Sequence, residues 1–299
     1  MASLSVLIPV YNCNAYQLVT DLLAQKGWAM WERWEIVVAD DASTDGACRE
    51  ANQKIAALPH CRYLLLERNK GRAAIRNYLV SVATTDYVLL IDGDMTLVSA
   101  DFIQNYARHS AQVVYGGYCA IAPSKNNLRY RCEVTALARQ GVMQRRKHPY
   151  WHFHTCNYFI QRALALQIPL DESYTGYGYE DVAYGKALQQ AGIPVAHIDN
   201  PVGFCLFEDN ATFLDKTDAA LHTLCQHYEE LTDYVALIGM HRKLRGLHVD
   251  ALAALGYRCF GKRLRARLCC HAPLLLFQAY KLMYFSYLYS TKVWRDPIS

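Results

Sequence analysis

Apolar positions in the first hundred residues fall into two alternating patterns. Short continuous apolar runs in "LSVLIPVYN", "WEIVVADDASTDG", "CRYLLLERN" and "DYVLLIDGD" read as buried strands, each closed by polar residues. Between them, "AYQLVTDLLAQ" and "GRAAIRNYLVSVA" place apolar residues at helical spacing. Strand-helix alternation of this kind predicts a parallel sheet covered by helices on both faces. Ligands of such sheets sit at the carboxyl ends of the strands. Tyr11-Asn12, Asp40-Asp41 and Asp92-Asp94 all fall at those ends, so one rim of the sheet is expected to form a binding cleft. Ser43 and Thr44 are candidate N-caps for the helix after the second strand.

Beyond about residue 110 the alternation loosens. "AQVVYGGYCAIAP" reads as a further strand and "LRYRCEVTALARQGVMQRR" as a helix. "WHFHTCNYFIQRALALQI" and "YTGYGYEDVAYGKALQQAGIPVAHI" set polar residues among aromatics, and from Asn210 onward the pattern has the 3.6-residue period. No internal repeat or low-complexity linker is visible.

Composition narrows the class. With 299 residues, 53% hydrophobic and 19% charged, the chain can bury a sizeable core and is not of disordered type. A net charge of +4, with no basic stripe or nucleic-acid motif in the first two hundred residues, argues against a nucleic-acid partner. Eleven cysteines without CxxC spacing read as reduced thiols rather than a disulfide framework or zinc site. "MASLSVLIPV" lacks the basic start and long apolar run of a signal peptide. No window reaches the ~18 uninterrupted apolar residues of a membrane-spanning helix, and the expected location is the cytoplasm.

The acidic clusters carry the candidate chemistry. Asp92 and Asp94, two residues apart at a strand end, point the same way. Two carboxylates on one side are costly without a cation, so one reading is a hard divalent ion that also grips a diphosphate. The other is an ordinary Asp-Gly turn. Asp40-Asp41 can start a helix or accept hydrogen bonds from a base edge or sugar hydroxyl. Arg72 and Arg76 share one helix face at i and i+4, within reach of a phosphate near the helix start, or form a solvated basic face. Glu180-Asp181 follows a Gly/Tyr-rich loop in which tyrosines offer flat faces to a sugar ring and an acid can act as general base. The alternative there is helix capping. His152 and His154 lack helical ligand spacing and read as loop or core histidines.

"SVLIPVYN", "WEIVVADDASTDG", "NKGRAAIRN", "YVLLIDGDM", "TCNYFIQR" and "GYGYEDVAYGKAL", in that order, resemble the family 2 glycosyltransferases of GT-A fold. The "GYGYED" segment is similar to the Gly-aromatic-Gly-x-Glu-Asp segment of galactosyltransferase-type and chondroitin-polymerase-type enzymes. The likeness covers roughly residues 3 to 210. It implies a GT-A domain over 1–210, with a nucleotide-binding half (1–110) and an acceptor-binding half (111–210), and a helical C-terminal region over 211–299.

The resemblance implies roles residue by residue. Pro9 and Tyr11 would line the nucleotide pocket, Asp41 would accept from uracil N3–H beside Asp40, and Arg76 would lie near the base or phosphates. Asp92 would contact the ribose or the metal, and Asp94 would hold Mn²⁺ or Mg²⁺ on the diphosphate. Asp181 would be the catalytic base and Glu180 would grip the acceptor sugar, with Tyr177, Tyr179 and Asn157 on the acceptor side. The implied activity is inverting transfer of a sugar from a nucleotide-sugar, a UDP-sugar, to a saccharide or lipid-linked saccharide acceptor in cell-surface glycan synthesis. Relatives place a metal-binding histidine where this chain has Phe204; His197, seven residues earlier, is the alternative ligand.

Rival readings are a sugar nucleotidyltransferase, opposed by the absence of a glycine in "PVYNCNAYQ", and a non-catalytic glycan-binding protein, opposed by the presence of Asp94 and Asp181. The tail "RLRARLCCHAPLLLFQAYKLMYFSYLYSTKVWR" has two readings: a helix packed on the catalytic domain, or an interfacial helix on the inner membrane leaflet.

Overall fold

The computed structural model describes residues 2–122, 124, 126–271 and 273–295, without the side chain of Arg295; Ala272 and the tail beyond Arg295 lie outside the described residues. In chain order the elements begin β1 (Leu4–Val10), α1 (Tyr16–Leu23), β2 (Trp34–Asp40), α2 (Gly46–Gln53), β3 (Cys61–Leu65), α3 (Arg72–Val82), β4 (Tyr87–Ile91), β5 (Met95–Leu97) and α4 (Phe102–Ala107). They continue with β6 (Val113–Tyr115), β7 (Tyr118–Ala120), α5 (Leu128–Leu137), α6 (Val142–Lys147), β8 (Asn157–Gln161), α7 (Arg162–Gln167), α8 (Glu180–Gln190), β9 (Val195–His197) and β10 (Val202–Phe204). The last four helices are α9 (Asn210–Gln226), α10 (Ala236–Gly246), α11 (Asp250–Cys270) and α12 (Leu274–Thr291). Two compact units result. The first holds Met1–Ala122, Arg139–Ser173 and Glu180–Leu206, the second Pro123–Ala138, Tyr174–Tyr179 and Phe207–Ser299.

The first unit is built on a sheet of order β3-β2-β1-β4-β8-β6-β9. β3, β2, β1 and β4 run parallel, as the alternating pattern predicts, so the three acidic or polar turns lie at one rim. β8 is antiparallel to both β4 and β6, which leaves the sheet mostly parallel. Apolar residues line both faces of the central strands. Val6, Ile8, Val38 and Leu89 pack with Leu18 and Leu22 of α1, whereas Leu7, Val37 and Leu90 pack with Ile75 and Leu79 of α3. Burying each such side chain contributes about 1.5–3 kcal/mol, which favours strand over helix for these runs. β5, β10 and β7 form a smaller sheet in that order.

Several elements differ from the sequence pattern. "AQVVYGGYCAIAP" is two strands in two sheets, because Gly116-Gly117 turns the chain between β6 and β7. A side chain at Gly117, where φ is +92°, would lie 1.9 Å from the Arg145 guanidinium. "LRYRCEVTALARQGVMQRR" is two helices, α5 and α6, assigned to different units. The N-cap of α2 is Asp45, whose carboxylate accepts from the Cys48 amide, in place of Ser43 or Thr44. All eleven cysteines are free thiols.

The second unit is helical. Leu128 of α5, Leu214 of α9, Leu268 of α11, and Phe277 and Tyr280 of α12 form its buried cluster. The tail is likewise two helices, broken before Pro273, the N-cap of α12. Phe277, Tyr280, Phe285 and Leu288 of α12 are buried, Phe277 and Tyr280 in the core of the helical unit itself. Among the described residues no helix is long and apolar enough to cross a membrane.

Candidate active site

The turns after β1 and β2 are laced together by Asn12, which adopts φ +49°. Its Oδ1 accepts from the amides of Thr44 and Asp45, both at 2.8 Å, and its own amide donates to Ser43 Oγ at 2.8 Å. Pro9 is half-buried, and Tyr11 beside this knot is 50% exposed, free to present its ring. Asp40 is fully buried. It accepts from the Ser43 amide at 2.7 Å and from Tyr63 Oη at 2.7 Å, so it shapes the turn from within. Asp41 accepts from the Lys70 amide at 2.7 Å and the Gly71 amide at 3.0 Å, pinning the start of α3. Burial raises its carboxyl above the ordinary value, against the lowering effect of those amides and the Lys70 charge. Each of its oxygens keeps one lone pair for a further hydrogen bond.

α3 carries two arginines toward two acidic motifs. Arg72 Nε donates to Glu180 Oε1 at 2.6 Å, and Arg76, nearly fully buried, is paired with Asp92 and donates to the Arg72 carbonyl. The i, i+4 spacing seen in the sequence therefore serves as a brace rather than a solvated face. Glu180 is buried, and its Oε2 has no hydrogen-bond partner among the described residues.

Asp92 and Asp94 flank Gly93 in the turn between β4 and β5. A Cβ at Gly93 would lie 2.6 Å from Val10 Cγ1 and 3.1 Å from the Pro9 carbonyl oxygen, so glycine lets the turn press on the end of β1. Asp181 opens α8. Its Oδ2 is 2.7 Å from His154 Nδ1 and its Oδ1 accepts from the Val182 amide at 2.8 Å. Because an ionised carboxylate can only accept, Nδ1 of His154 carries the hydrogen. Burial alone would raise the Asp181 carboxyl, but the His154 hydrogen bond and charge, the Val182 amide and Arg72 outweigh it and hold it below the ordinary value. Cys156, just before β8, accepts at its carbonyl from the Asp92 amide at 3.2 Å; burial pushes its thiol well up, and the charges of Asp92, Asp181 and Asp94 add to this while Arg76 opposes them. Cys13, after β1, is raised to about 12 by burial and by Asp94, Cys48 and Asp92.

Two expected site residues are engaged elsewhere. Asn157, expected on the acceptor side, is fully buried; its Oδ1 accepts from Tyr106 Oη at 2.7 Å and its Nδ2 donates to the carbonyls of Gly117 and Asn200 at 2.8 and 2.9 Å. Its amide is consumed in tying β8 to its neighbours. His197, the alternative metal ligand, is buried, donates from Nε2 to the Pro149 carbonyl at 2.8 Å, and is lowered to about 4 by burial. It is a neutral core imidazole. Tyr177 and Tyr179 belong to the second unit, where the Tyr177 ring lies 5.9 Å from the Lys216 ammonium and Tyr179 takes φ +70°.

Among the described residues no three His, Cys, Asp or Glu side chains group to hold an ion by themselves. Asp92 and Asp94 offer the carboxylate oxygens a hard cation takes, two residues apart on the rim turn, with Asp92 also paired to Arg76. Phe204 of β10 stands opposite Met95, the residue after Asp94, so an apolar ring occupies the position next to the acidic turn.

The sequence pattern marks Asn12 only as part of the rim and His154 only as a loop or core histidine, and it does not join Arg72 to Glu180. His154 shares with Asp181 only a position in a polar-aromatic stretch, 27 residues apart, so no spacing signal joins them.

The sheet order, with acidic turns along the carboxyl rim of its parallel half, defines a GT-A glycosyltransferase fold. Residues 1–349 of S. aureus TarS share it with TM-score 0.54 at 15% identity, over 98% of this chain and 92% of that one. The mannosyltransferase PcManGT of Pyrobaculum calidifontis, solved with GDP-Man and Mn2+, shares it with TM-score 0.58 at 15% identity, over 97% and 87%. The chain belongs to glycosyl transferase family 2, whose model matches residues 5–167. It is similar to the putative glycosyltransferase EpsE of Bacillus subtilis, 37% identical over 93 residues covering 30% of this chain and 32% of that protein. It is also similar to the glycosyltransferase GlyG of Streptococcus pneumoniae, 27% identical over 168 residues covering 52% and 54%. The matches thus span between about a third and about half the length of these curated relatives.

Proposed function

We propose that the chain is an inverting glycosyltransferase that moves a sugar from a UDP-sugar to a saccharide acceptor in cell-surface glycan synthesis. The observation that carries this reading is that the β4–β5 turn and the start of α8 are tied to the same elements: the Asp92 amide donates to the Cys156 carbonyl at 3.2 Å while His154, two residues before Cys156, lies 2.7 Å from Asp181, and Arg76 and Arg72, one turn apart on α3, hold Asp92 and Glu180. It brings the acids of the rim turn, suited to a nucleoside diphosphate, close to an acid able to take a proton. Similarity to TarS, solved with UDP and with UDP-GlcNAc, supports a uridine nucleotide. Similarity to proteins named for teichuronic acid and colanic acid biosynthesis supports a surface glycan.

In this mechanism Asp41 uses its remaining lone pairs to accept from uracil N3–H, and exposed Tyr11 covers the base. The domain division at about residues 110 and 210 is retained as part of the proposal. Asp181, turned by His154, takes the acceptor hydroxyl proton as that oxygen attacks the anomeric carbon. The bond from that carbon to the phosphate oxygen breaks, and the nucleoside diphosphate departs with the electron pair. With one base and no second nucleophile, the displacement is single and inverts the centre. Asp94, with Asp92, would hold Mn²⁺ or Mg²⁺, which supplies charge neutralisation for the departing diphosphate. Arg76 keeps Asp92 in place through their ion pair.

The test is nucleoside diphosphate release from a panel of UDP- and GDP-sugars, with Mn²⁺, with Mg²⁺ and with chelator. Release from a UDP-sugar that Asp181→Asn abolishes supports the reading. Turnover confined to GDP-sugars would remove the uridine assignment, and no turnover of any sugar nucleotide would favour a glycan-binding protein.

A further inference from the structure

The charge of the chain is unevenly placed. Residues 236–270, spanning α10 and α11, hold eight lysines and arginines against one acid, Asp250, a net of +7. The whole chain is +4, so everything else together is net −3.

α11 carries five of these cations, three of them, Lys262, Arg263 and Arg267, on its outward side. Ala254, Gly261 and Leu268, spaced by seven, are buried and mark its inward face. On the opposite arc, at 100° per residue, lie Leu252, Leu255, Phe260, Lys262, Arg263 and Arg267, all exposed. The large apolar members are more than half exposed: Leu252 65%, Leu255 51% and Phe260 53%. Arg265, on the flank, is turned to Asp215 and Asp218 at 2.5 and 2.7 Å. Lys262, Arg263 and Arg267, and Arg258 on the same flank as Arg265, form no ion pair among the described residues.

Soluble surfaces interleave cations with acids and keep large apolar groups few. Unpaired cations beside exposed leucine and phenylalanine on one helix face match a layer that is anionic at its surface and apolar just beneath. A nucleic acid would satisfy the cations but not Leu252, Leu255 and Phe260. We infer that the exposed face of α11 docks on an anionic lipid surface, lying in the headgroup layer. The contact is peripheral. It assigns lipid contact to α11 rather than to α12, whose Phe277, Tyr280 and Phe285 are buried and whose Tyr284, Tyr287 and Tyr289 are partly buried.

The experiment is co-sedimentation of the full chain with vesicles of phosphatidylcholine alone and of phosphatidylcholine mixed with phosphatidylglycerol. Binding to the anionic vesicles only, released at high salt, is expected. Lys262→Gln with Arg263→Gln should lower partitioning roughly 30-fold, since each cation near an anionic surface is worth about 1 kcal/mol and about 1.4 kcal/mol is tenfold. Leu252→Ser with Phe260→Ser should also lower it, with far-UV circular dichroism unchanged in both variants. Indifference to anionic vesicles, equal binding to neutral ones, or full binding by the apolar variant would overturn the inference. A concentration-dependent dimer dissolved by Phe260→Ser, without vesicle binding, would assign the face to a second copy instead and overturn it equally.

Discussion

His154 Nδ1 lies 2.7 Å from Asp181 Oδ2, so the acid proposed as the base is held by an imidazole rather than standing alone in the cleft. The pair fixes the rotamer of Asp181 and keeps its carboxyl ionised below the ordinary value of 3.8. An acid lowered on folding contributes stability that is fully present above its unfolded value and lost as pH falls through the folded one. The same holds for its readiness as a base. His154→Gln should therefore move the acid limb of kcat to higher pH, because burial then acts on Asp181 with less opposition. At neutral pH kcat should fall by about tenfold or more through lost orientation, with the KM for the sugar nucleotide little changed. A pH–rate profile of the two proteins reads this; superimposable profiles would make His154 a bystander.

Gly93 touches β1 so closely that a methyl group there has no room, with Val10 Cγ1 at 2.6 Å from the added carbon. Gly93→Ala should cost about 1–3 kcal/mol and raise the KM for the sugar nucleotide by displacing Asp92 and Asp94. Adding Val10→Ala should restore part of both, and a double-mutant cycle by urea denaturation and initial rates measures the coupling.

The Arg72–Glu180 pair joins a half-exposed guanidinium to a buried carboxylate. Arg72→Ala leaves the Glu180 charge buried without its partner and should lower stability by about 1–3 kcal/mol. Arg72→Ala with Glu180→Gln should recover much of that loss. Equal melting of single and double variants would show that the pair carries no coupling.

Phe204, opposite Met95 at the edge of the acidic turn, leaves the proposed ion with oxygen ligands from the protein. Activity should then accept Mg²⁺ as well as Mn²⁺, and ion binding without the sugar nucleotide should be weak. Phe204→His should tighten Mn²⁺ binding in calorimetry. Tight Mn²⁺ binding by the unaltered chain would place a ligand not yet recognised.

The parallel half of the sheet was legible because the centres of β1, β2 and β4, residues 6–8, 36–39 and 88–91, are buried on both faces and apolar throughout. The acids at their ends stood out against that background. β6 and β7 were not separable in advance, since their division depends on Arg145 filling the space beside Gly117, a contact made only in the folded chain. Asn157 misled for a related reason. A polar residue at the start of an apolar strand looks like a ligand contact, but here it completes a buried network with Tyr106 and Asn200. The His154–Asp181 pair joins a loop to a helix start, and nothing local in either segment announces the other.

The central claim is that Asp181 acts on the acceptor and not on the sugar nucleotide. Single-turnover glycosyl transfer by Asp181→Asn, measured beside calorimetric binding of UDP, tests it most directly. Transfer should fall by about 10²–10⁴ while UDP affinity stays within about twofold of the parent. Transfer at the parental rate, or a loss of UDP affinity as large as the loss of transfer, would contradict the assignment.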